Sequence, residues 1–479
     1  MPAQSADERL PAVIQGGMGV GVSDWRLARA VAAAGQLGVV SGVALDAVLA
    51  RRLQCGDPDG DVRRALGQLP LPGVAERIVR RYFVPGGIEP GQPFRPIPRL
   101  GLRPGMASTE LTVAGNFVEV YLAKQGHDGL VGINYLEKIQ LATAAAAYGA
   151  MLAGVDYVLM GAGIPAEIPS LLDSLAAGEP GELTVTVAAA AAGTRHTVRV
   201  DPRALSGQTP EALPRPRFLA IISSAVLAAY LARSRVSTPD GFVLESSSAG
   251  GHSAPPRGRL RLDAGNEVVY GPRDEIDVTK VAALGLPFWL AGGQAKPGGL
   301  VRARSVGATG IQVGTAFALC RESGIDADLR ARLIERALAG ALRVRNEPYT
   351  SPAGFPFKVA QLSGTLADEE VYAARPRLCD LGYLRVPYER KDGHIGYRCP
   401  AEPVEIYLRK GGAVEDTVGR RCLCNGLVAT IGLGQRRSDE TAEPALITLG
   451  QNLDFLRELA AAAGTCFGAA DVIAYLLQQ

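Results

Sequence analysis

A chain of 479 residues is too long for one simple core, which favours one large domain with an appendage. The 50 basic and 48 acidic residues are scattered and leave a net charge of +2, which excludes a basic face for nucleic acid. No uncharged apolar stretch of about 18 residues occurs and the N-terminus lacks an apolar export signal, so we expect a cytoplasmic protein without membrane contact. The expected partner is a small-molecule substrate, and a homodimer is left open.

Eight short apolar runs in the first 320 residues have the pattern of buried strands. An apolar run without alternation is typical of a strand covered on both faces, which favours a parallel sheet over a sandwich. Helix-like stretches separate the runs. The sequence therefore predicts the α/β fold of a (β/α)8 TIM barrel, in which the loops after the strands build the active site. The predicted strands cover 12–15, 37–41, 130–134, 157–161, 218–223, 241–245, 288–292 and 310–314.

Two insertions interrupt the regular alternation of strands and helices. Ser23 is the predicted N-cap of a first helix over 24–34. The first insertion covers about 43–129, and its Pro/Gly-rich stretch 83–105 is expected to run over the barrel as a loop. The second covers about 177–217 and has the pattern of a β-hairpin.

The C-terminal part differs in texture from the barrel. We predict a barrel domain over 1–348 and a small α+β domain over 349–479. The second domain is short of strong apolar periodicity, so we expect it to dock on the barrel.

The C-terminal part also holds four of the seven cysteines. In a chain without an export signal, clustered cysteines indicate a metal before a disulfide. The spacing does not match the paired CxxC knuckles of a zinc ribbon, whereas positive charge at Arg420 and Arg421 would suit the anionic sulfurs of a [4Fe–4S] cluster. Three interpretations stay open, in this order: buried free thiols, a [4Fe–4S] cluster and zinc. The four residues are Cys379, Cys399, Cys422 and Cys424.

Glycine-rich turns follow the first, seventh and eighth predicted strands. Glycine lets the backbone approach a ligand closely, and loops after strands seven and eight of a TIM barrel commonly bind phosphate through backbone N–H groups. Each turn alone is also explained as a tight turn without a ligand, but the last two together are less easily explained so. The turns contain Gln15, Gly16, Gly17 and Met18; Gly292, Gly293 and Gln294; and Gly314 and Thr315.

His252 follows the sixth predicted strand in a loop of small residues. There an imidazole can take or give a proton near neutral pH. The alternative is a structural histidine. We expect the Ser/Gly loop that carries it to be flexible.

In this order, these residues resemble the nitronate monooxygenase, or 2-nitropropane dioxygenase, family of FMN-dependent barrels, which is related to flavin enoyl reductases. The resemblance covers roughly residues 10–345. It implies that the first turn contacts the flavin, that the last two bind the FMN phosphate, and that Asn134 and Lys138 contact the flavin ring or ribityl chain. It also implies that Gly251 and His252 belong to the catalytic-histidine motif. The segment 160–163 departs from the aromatic-rich turn of nitronate oxidisers.

The resemblance implies an FMN-dependent oxidoreductase. The first expectation is oxidation of a nitronate or a related small substrate, with His252 as base or orienting donor. The alternative is an enoyl thioester reductase that takes hydride from NAD(P)H. A barrel enzyme without flavin, acting on a phosphate-containing ligand, ranks third. FMN is expected in preference to FAD because no GxGxxG turn opens a βαβ unit.

Overall fold

The computed structural model describes residues 10–437 and 441–478. Residues 1–9, which carry much of the prediction about an export signal, lie outside the described residues. In chain order, the strands are β1 (Val13–Gln15), β2 (Gly38–Ser41), β3 (Val131–Leu136), β4 (Tyr157–Gly161), β5 (Gly181–Thr184), β6 (Thr197–Val200), β7 (Arg217–Ile222), β8 (Gly241–Glu245), β9 (Phe288–Ala291), β10 (Gly310–Val313), β11 (Val344–Glu347), β12 (Phe357–Ala360), β13 (Val386–Glu389) and β14 (Ile395–Arg398).

Eight of these strands form one parallel sheet in the order β1-β10-β9-β8-β7-β4-β3-β2. A parallel bridge between Ile14 and Leu37 brings the two edge strands together, so the sheet closes into a barrel. All eight strands predicted from the sequence belong to it, which confirms the TIM-barrel fold. Each reads as an apolar run because its two faces are covered, one by the barrel interior and one by helices.

The barrel interior is a small core of its own. Side chains from most of the barrel strands meet there, and Trp289, Leu159 and Val243 are fully buried. Trp289 also donates a hydrogen bond from Nε1 to the carbonyl oxygen of Pro11 at 2.7 Å. The interior is therefore packed with side chains and leaves ligand binding to the strand ends.

The helices surround the barrel and build the insertions and the C-terminal part. Short 3₁₀ turns lie at Glu137–Ile139, Pro272–Asp274 and Val414–Thr417. The α-helices are Trp25–Ala33, Leu45–Gln54, Asp61–Leu66, Val74–Tyr82, Met106–Ala123, Gln140–Leu152, Ile168–Ala176, Pro202–Ser206, Ala225–Leu231, Val278–Ala282, Gly299–Ser305, Thr315–Ala318, Ala327–Leu338, Glu369–Ala374, Val404–Arg409, Leu423–Ala429, Phe455–Ala463 and Ala469–Leu477. None of the helices in the described part is long and apolar enough to cross a membrane.

The first helix begins one residue later than predicted. Its N-cap is Asp24, whose carboxylate accepts hydrogen bonds from the backbone N–H groups of Arg26 and Leu27. The prediction of Ser23 as the cap is wrong because the Ser23 hydroxyl is used inside the first strand turn, where it bonds Met18 and Gly16.

The two insertions differ in content. The first contains four helices, and its Pro/Gly-rich stretch 83–105 has no helix or strand. That stretch is hydrogen-bonded to the C-terminal part, through Phe94 to Gln435 and through Leu102 to Tyr397. In the second insertion, β5 and β6 pair antiparallel, which confirms the predicted hairpin.

The C-terminal part packs closely on the barrel. The antiparallel pair of β11 and β12 spans the boundary predicted at residue 348. Apolar side chains such as Val359 and Leu446 belong to the same buried core as the barrel helices. The division into two domains stays a prediction.

Candidate active site

A cavity opens at the carboxyl ends of the barrel strands. Apart from Gln15 and Lys138, every residue predicted to bind the cofactor lines it, and so does His252. The predicted residues in its wall are Gly16, Gly17, Met18, Asn134, Gly251, His252, Gly292, Gly293, Gln294, Gly314 and Thr315. The fold thus brings together turns that are up to about 300 residues apart in the chain, as the barrel architecture requires.

Gln15 lies behind the first turn. Its side chain is fully buried, and its amide donates to Ser23 Oγ at 2.9 Å and accepts from the backbone N–H of Val39 at 3.0 Å. These bonds fix the turn between β1 and the first helix. The placement gives Gln15 a structural role and does not support the predicted direct contact with the cofactor.

Two amide side chains present unpartnered oxygens at the cavity. Asn134 Oδ1 and Gln312 Oε1 are buried and have no hydrogen-bond partner among the described residues. A buried polar atom without a partner costs free energy, so such atoms indicate a place where a ligand supplies the missing donor. A Cβ atom on Gly17 would lie 2.4 Å from Asn134 Cβ, so only glycine lets the first turn pack against this amide.

The turn after β9 also requires glycine. Gly292 has φ of +88°, and a Cβ atom there would lie 2.2 Å from Ser246 Oγ. Next to it, the turn after β10 is tied to the C-terminal part, because the backbone N–H of Gly450 donates to Thr315 Oγ1 at 2.8 Å. Bare backbone and a hydroxyl therefore form this wall, a donor set suited to an anionic group such as phosphate.

His252 is held by aromatic rings and one serine. Its Nε2 and Ser351 Oγ share a hydrogen bond of 2.7 Å, and its ring meets the Phe357 ring edge-on with centroids 4.8 Å apart. Burial, with a smaller effect from the charge of Lys138, lowers the pKa of His252 to about 4. The imidazole is therefore neutral at neutral pH, and its role as acid or base stays a prediction.

Lys138 lies just outside the cavity wall. Its Nζ is 4.3 Å from the centroid of the Phe355 ring and 3.9 Å from Glu137 Oε2. Lys138 therefore does not line the cavity, but its positive charge contributes to the lowered pKa of His252.

The loop that carries His252 is fixed on both sides. Gly251 N–H donates to Thr448 Oγ1 at 2.8 Å, and Gly251 accepts from the backbone N–H of Lys358 at 2.9 Å. Ser253 N–H donates to the carbonyl oxygen of Pro356 at 2.9 Å. All of these partners come from the C-terminal part, so the expectation of a flexible loop is wrong: the tail holds it.

Two titratable residues in or next to the cavity were not among the site residues predicted from the sequence. Glu245 ends β8 and lines the cavity, and burial raises its pKa to about 7 although the charge of Lys358 lowers it. Lys358 in β12 has no exposed surface, and burial lowers its pKa to about 8. Glu245 has a sequence signal, since a carboxyl at the end of a barrel strand faces the active site. Lys358 has none.

The C-terminal part supplies a further section of the cavity wall. These residues come from two helices and the segment before the second, and they had no sequence signal because no local pattern links them to the barrel. They are Leu427, Thr448, Leu449, Gly450, Asn452 and Phe455.

The four clustered cysteines are free thiols in the structure. Burial raises the pKa of each, and the charges of neighbouring thiolates raise those of Cys399, Cys422 and Cys424 further. Across residues 10–437 and 441–478, no group of three or more His, Cys, Asp or Glu side chains is placed to hold a metal ion. The structure therefore gives no support to a metal site at Cys379, Cys399, Cys422 and Cys424.

The residues of the cavity fit FMN. The unpartnered oxygens of Asn134 and Gln312 match the N–H and hydroxyl donors of a flavin ring and its ribityl chain. The glycine turns after β9 and β10 match its phosphate. Of the predicted residues, Asn134 and the turns at Gly17, Gly292 and Gly314 are the ones that would hold the cofactor.

Comparison with known proteins agrees with the resemblance seen in the sequence. Residues 215–347 match the family model described as nitronate monooxygenase. This segment runs from β7 to β11 and contains Glu245, His252 and the glycine turns after β9 and β10. A search of the curated proteins finds no match to the chain.

Solved structures align over most of the chain at low identity. FabK from Thermotoga maritima is 15% identical, covers 98% of this chain and 92% of its own, and has a TM-score of 0.45. A nitroalkane oxidase from Streptomyces ansochromogenes is 15% identical over 97% of this chain and 94% of its own, with a TM-score of 0.41. The enoyl reductase domain of MlnA from the macrolactin biosynthesis cluster of Bacillus amyloliquefaciens is 12% identical over 77% of this chain and 68% of its own, with a TM-score of 0.39. At these scores the likeness decides nothing about the chemistry.

Proposed function

We propose that the chain is an FMN-dependent oxidoreductase of the nitronate monooxygenase type, whose family model matches residues 215–347, and that it oxidises a nitronate or a related small substrate. The observation that carries the proposal is one cavity that combines unpartnered amide oxygens, glycine turns and His252. FMN, when bound, accepts the electrons of the substrate.

The residues of the chain bind and orient in this proposal. The turns at Gly292 and Gly314 would hold the phosphate end of FMN, and the unpartnered oxygens of Asn134 and Gln312 would accept hydrogen bonds from it. His252 is a neutral imidazole fixed by Ser351, so it offers the substrate a directed hydrogen bond and does not add a charge. Leu136, Ile221 and Phe455 make part of the wall apolar and keep water away from the reacting atoms.

The second candidate is a flavin enoyl reductase with NAD(P)H as reductant. The specific observation in its favour is Glu245 in the cavity wall, because reduction of an enoyl thioester needs a proton for the carbon next to the carbonyl. Oxidation of a nitronate, which is already an anion, needs no such proton from the protein.

The test begins with an absorbance spectrum and a mass measurement of the chromophore extracted from the purified protein. FMN is expected; FAD, or no flavin after reconstitution, contradicts the proposal. The loaded protein is then mixed without oxygen with propane 2-nitronate or with NADPH. Bleaching by the nitronate alone supports the first candidate. Bleaching by NADPH with reoxidation by crotonyl-CoA supports the second and contradicts the first.

A further inference from the structure

Glu245 lies between two cavities. On one side it lines the cofactor cavity. On the other side it lines a polar pocket together with Ser223 and Tyr270, and the rim of that pocket, at Pro255 and Arg257, is exposed to solvent. Glu245 is thus shared by the wall of the cofactor cavity and the wall of a pocket whose rim is exposed to solvent.

The charge of Lys358 acts on this carboxyl from a fully buried position. Its Nζ donates to the carbonyl oxygen of Ser247 at 2.6 Å and to Ser253 Oγ at 2.6 Å, and the side chain has no exposed surface. Lysine is rarely buried so completely unless it is paired. The charges of Lys358 and Glu245 interact, and Glu245 is the nearer to the cavity.

The other ionisable groups around Glu245 are few and fixed. Tyr270 donates from its hydroxyl to the carbonyl oxygen of Ala254 at 2.9 Å. Asp274 and Arg257 lie on the outer pocket and bond each other through the backbone N–H of Arg257 and Asp274 Oδ1 at 2.6 Å. Glu267 interacts with Lys358, and His252 on the cavity side is neutral near pH 7.

We propose that Glu245, which lines both the cofactor cavity and the outer pocket, is the proton carrier of the active site. The Oε–H bond of the protonated carboxyl breaks, the electron pair of a substrate carbanion forms the new C–H bond, and Glu245 is left as a carboxylate that the charge of Lys358 favours. A proton from solvent restores it through the outer pocket. In the oxidative direction the same carboxylate takes a proton from the α-carbon of a neutral nitroalkane and leaves the nitronate; a substrate supplied as nitronate needs no such step. The inference rests on the proposed oxidoreductase function and adds to it a residue outside the histidine motif.

The test compares Glu245→Gln with the wild type and with Glu275→Gln as a control, because Glu275 is an exposed carboxyl next to the same loops. The first readout needs no turnover: the infrared difference spectrum of the FMN-free protein between acid and alkaline pH. A protonated carboxyl band that titrates with a midpoint near 7 is expected in the wild type and in Glu275→Gln, and is absent from Glu245→Gln.

The second readout is the pH profile of turnover with a substrate that needs proton transfer at carbon: crotonyl-CoA with NADPH, or a neutral nitroalkane, and not a preformed nitronate. Glu245→Gln is expected to keep FMN and to lose about 10² to 10⁴ in rate, together with the inflection near pH 7. Partial recovery in Glu245→Asp supports the role. An FMN-loaded Glu245→Gln protein with an unchanged profile, or with the titrating band still present, overturns this inference alone. Absence of FMN from the wild type overturns the proposed function and this inference with it.

Discussion

Two parts of the cavity rim are built in different ways. The glycine turns after β9 and β10 follow directly from the barrel, since their shape depends on backbone conformation at the strand ends. The loop of His252 is held by residues that are 99 to 197 positions away in the chain, among them Ser351 and Thr448. The barrel therefore supplies the glycine turns of the cofactor cradle, to which the C-terminal part adds the bond from Gly450 to Thr315, whereas the loop on the reacting side is held by several such bonds.

The largest expected effect is on the reacting side. His252→Asn should keep FMN and lose about 10² to 10⁴ in turnover, because it removes the imidazole that faces the substrate while the glycine turns are untouched. Flavin content and kcat are measured on the same preparation. A flavin-loaded variant with normal turnover would show that His252 is a structural residue.

A substitution in the glycine turns of the cofactor cradle should weaken the binding of FMN. Gly292→Ala places a side chain at φ +88° and against Ser246, so we expect FMN affinity to fall by about 100-fold, from a strain of about 1–2 kcal/mol plus the displaced loop. Gly307→Ala is the matched control: it has the same φ of +88° but open space around the new Cβ atom, and it lies away from the cavity. Equal FMN affinity in the two variants would contradict the cradle.

The third prediction concerns acid stability. The pKa of His252 is lowered from 6.5 to about 4 in the folded protein, so between these values the unfolded chain binds the extra proton. The stability of the folded protein that depends on a neutral His252 is therefore fully present above pH 6.5 and is lost as the pH falls toward 4. At pH 5 this amounts to about 2 kcal/mol of the free energy of unfolding relative to neutral pH. Urea denaturation at both pH values should show a loss that is smaller in His252→Asn. An equal loss in both proteins would exclude His252 as the source.

The smallest expected effects come from removing a single hydrogen bond, either at the His252 loop or at the glycine turn after β10. Thr448→Val removes the acceptor for Gly251 N–H, and Thr315→Val removes the acceptor for Gly450 N–H; each should cost about 1 kcal/mol. We expect Thr448→Val to lower turnover by about fivefold with FMN affinity kept, and Thr315→Val to lower FMN affinity instead. Fluorescence titration with FMN, followed by kinetics on the loaded proteins, checks both. The same change in both variants would mean that the two sides are not independent.

The sequence by itself determined the barrel and the ends of its strands. Continuous apolar runs such as 37–41 and 241–245 are local signals, because a strand covered on both faces tolerates only apolar residues. The glycine turns are local signals as well, since a positive φ or a close approach excludes other residues. For that reason Gly17 and Gly292 were predicted in the cavity wall and are found there. Gly314, also predicted, lies in the same wall with a φ of −107° that does not require glycine.

Only the tertiary structure decided how the site is closed. Asp24 and not Ser23 caps the first helix because the strand turn uses the Ser23 hydroxyl, which only the folded chain shows. Lys358 lies in β12, and Thr448 lies in the segment between helices Leu423–Ala429 and Phe455–Ala463. Both contact the His252 loop because the C-terminal part folds back on the barrel. Contacts between such distant residues leave no pattern in the local sequence. Burial, which exists only in the folded chain, then lowers the pKa of His252 and raises that of Glu245.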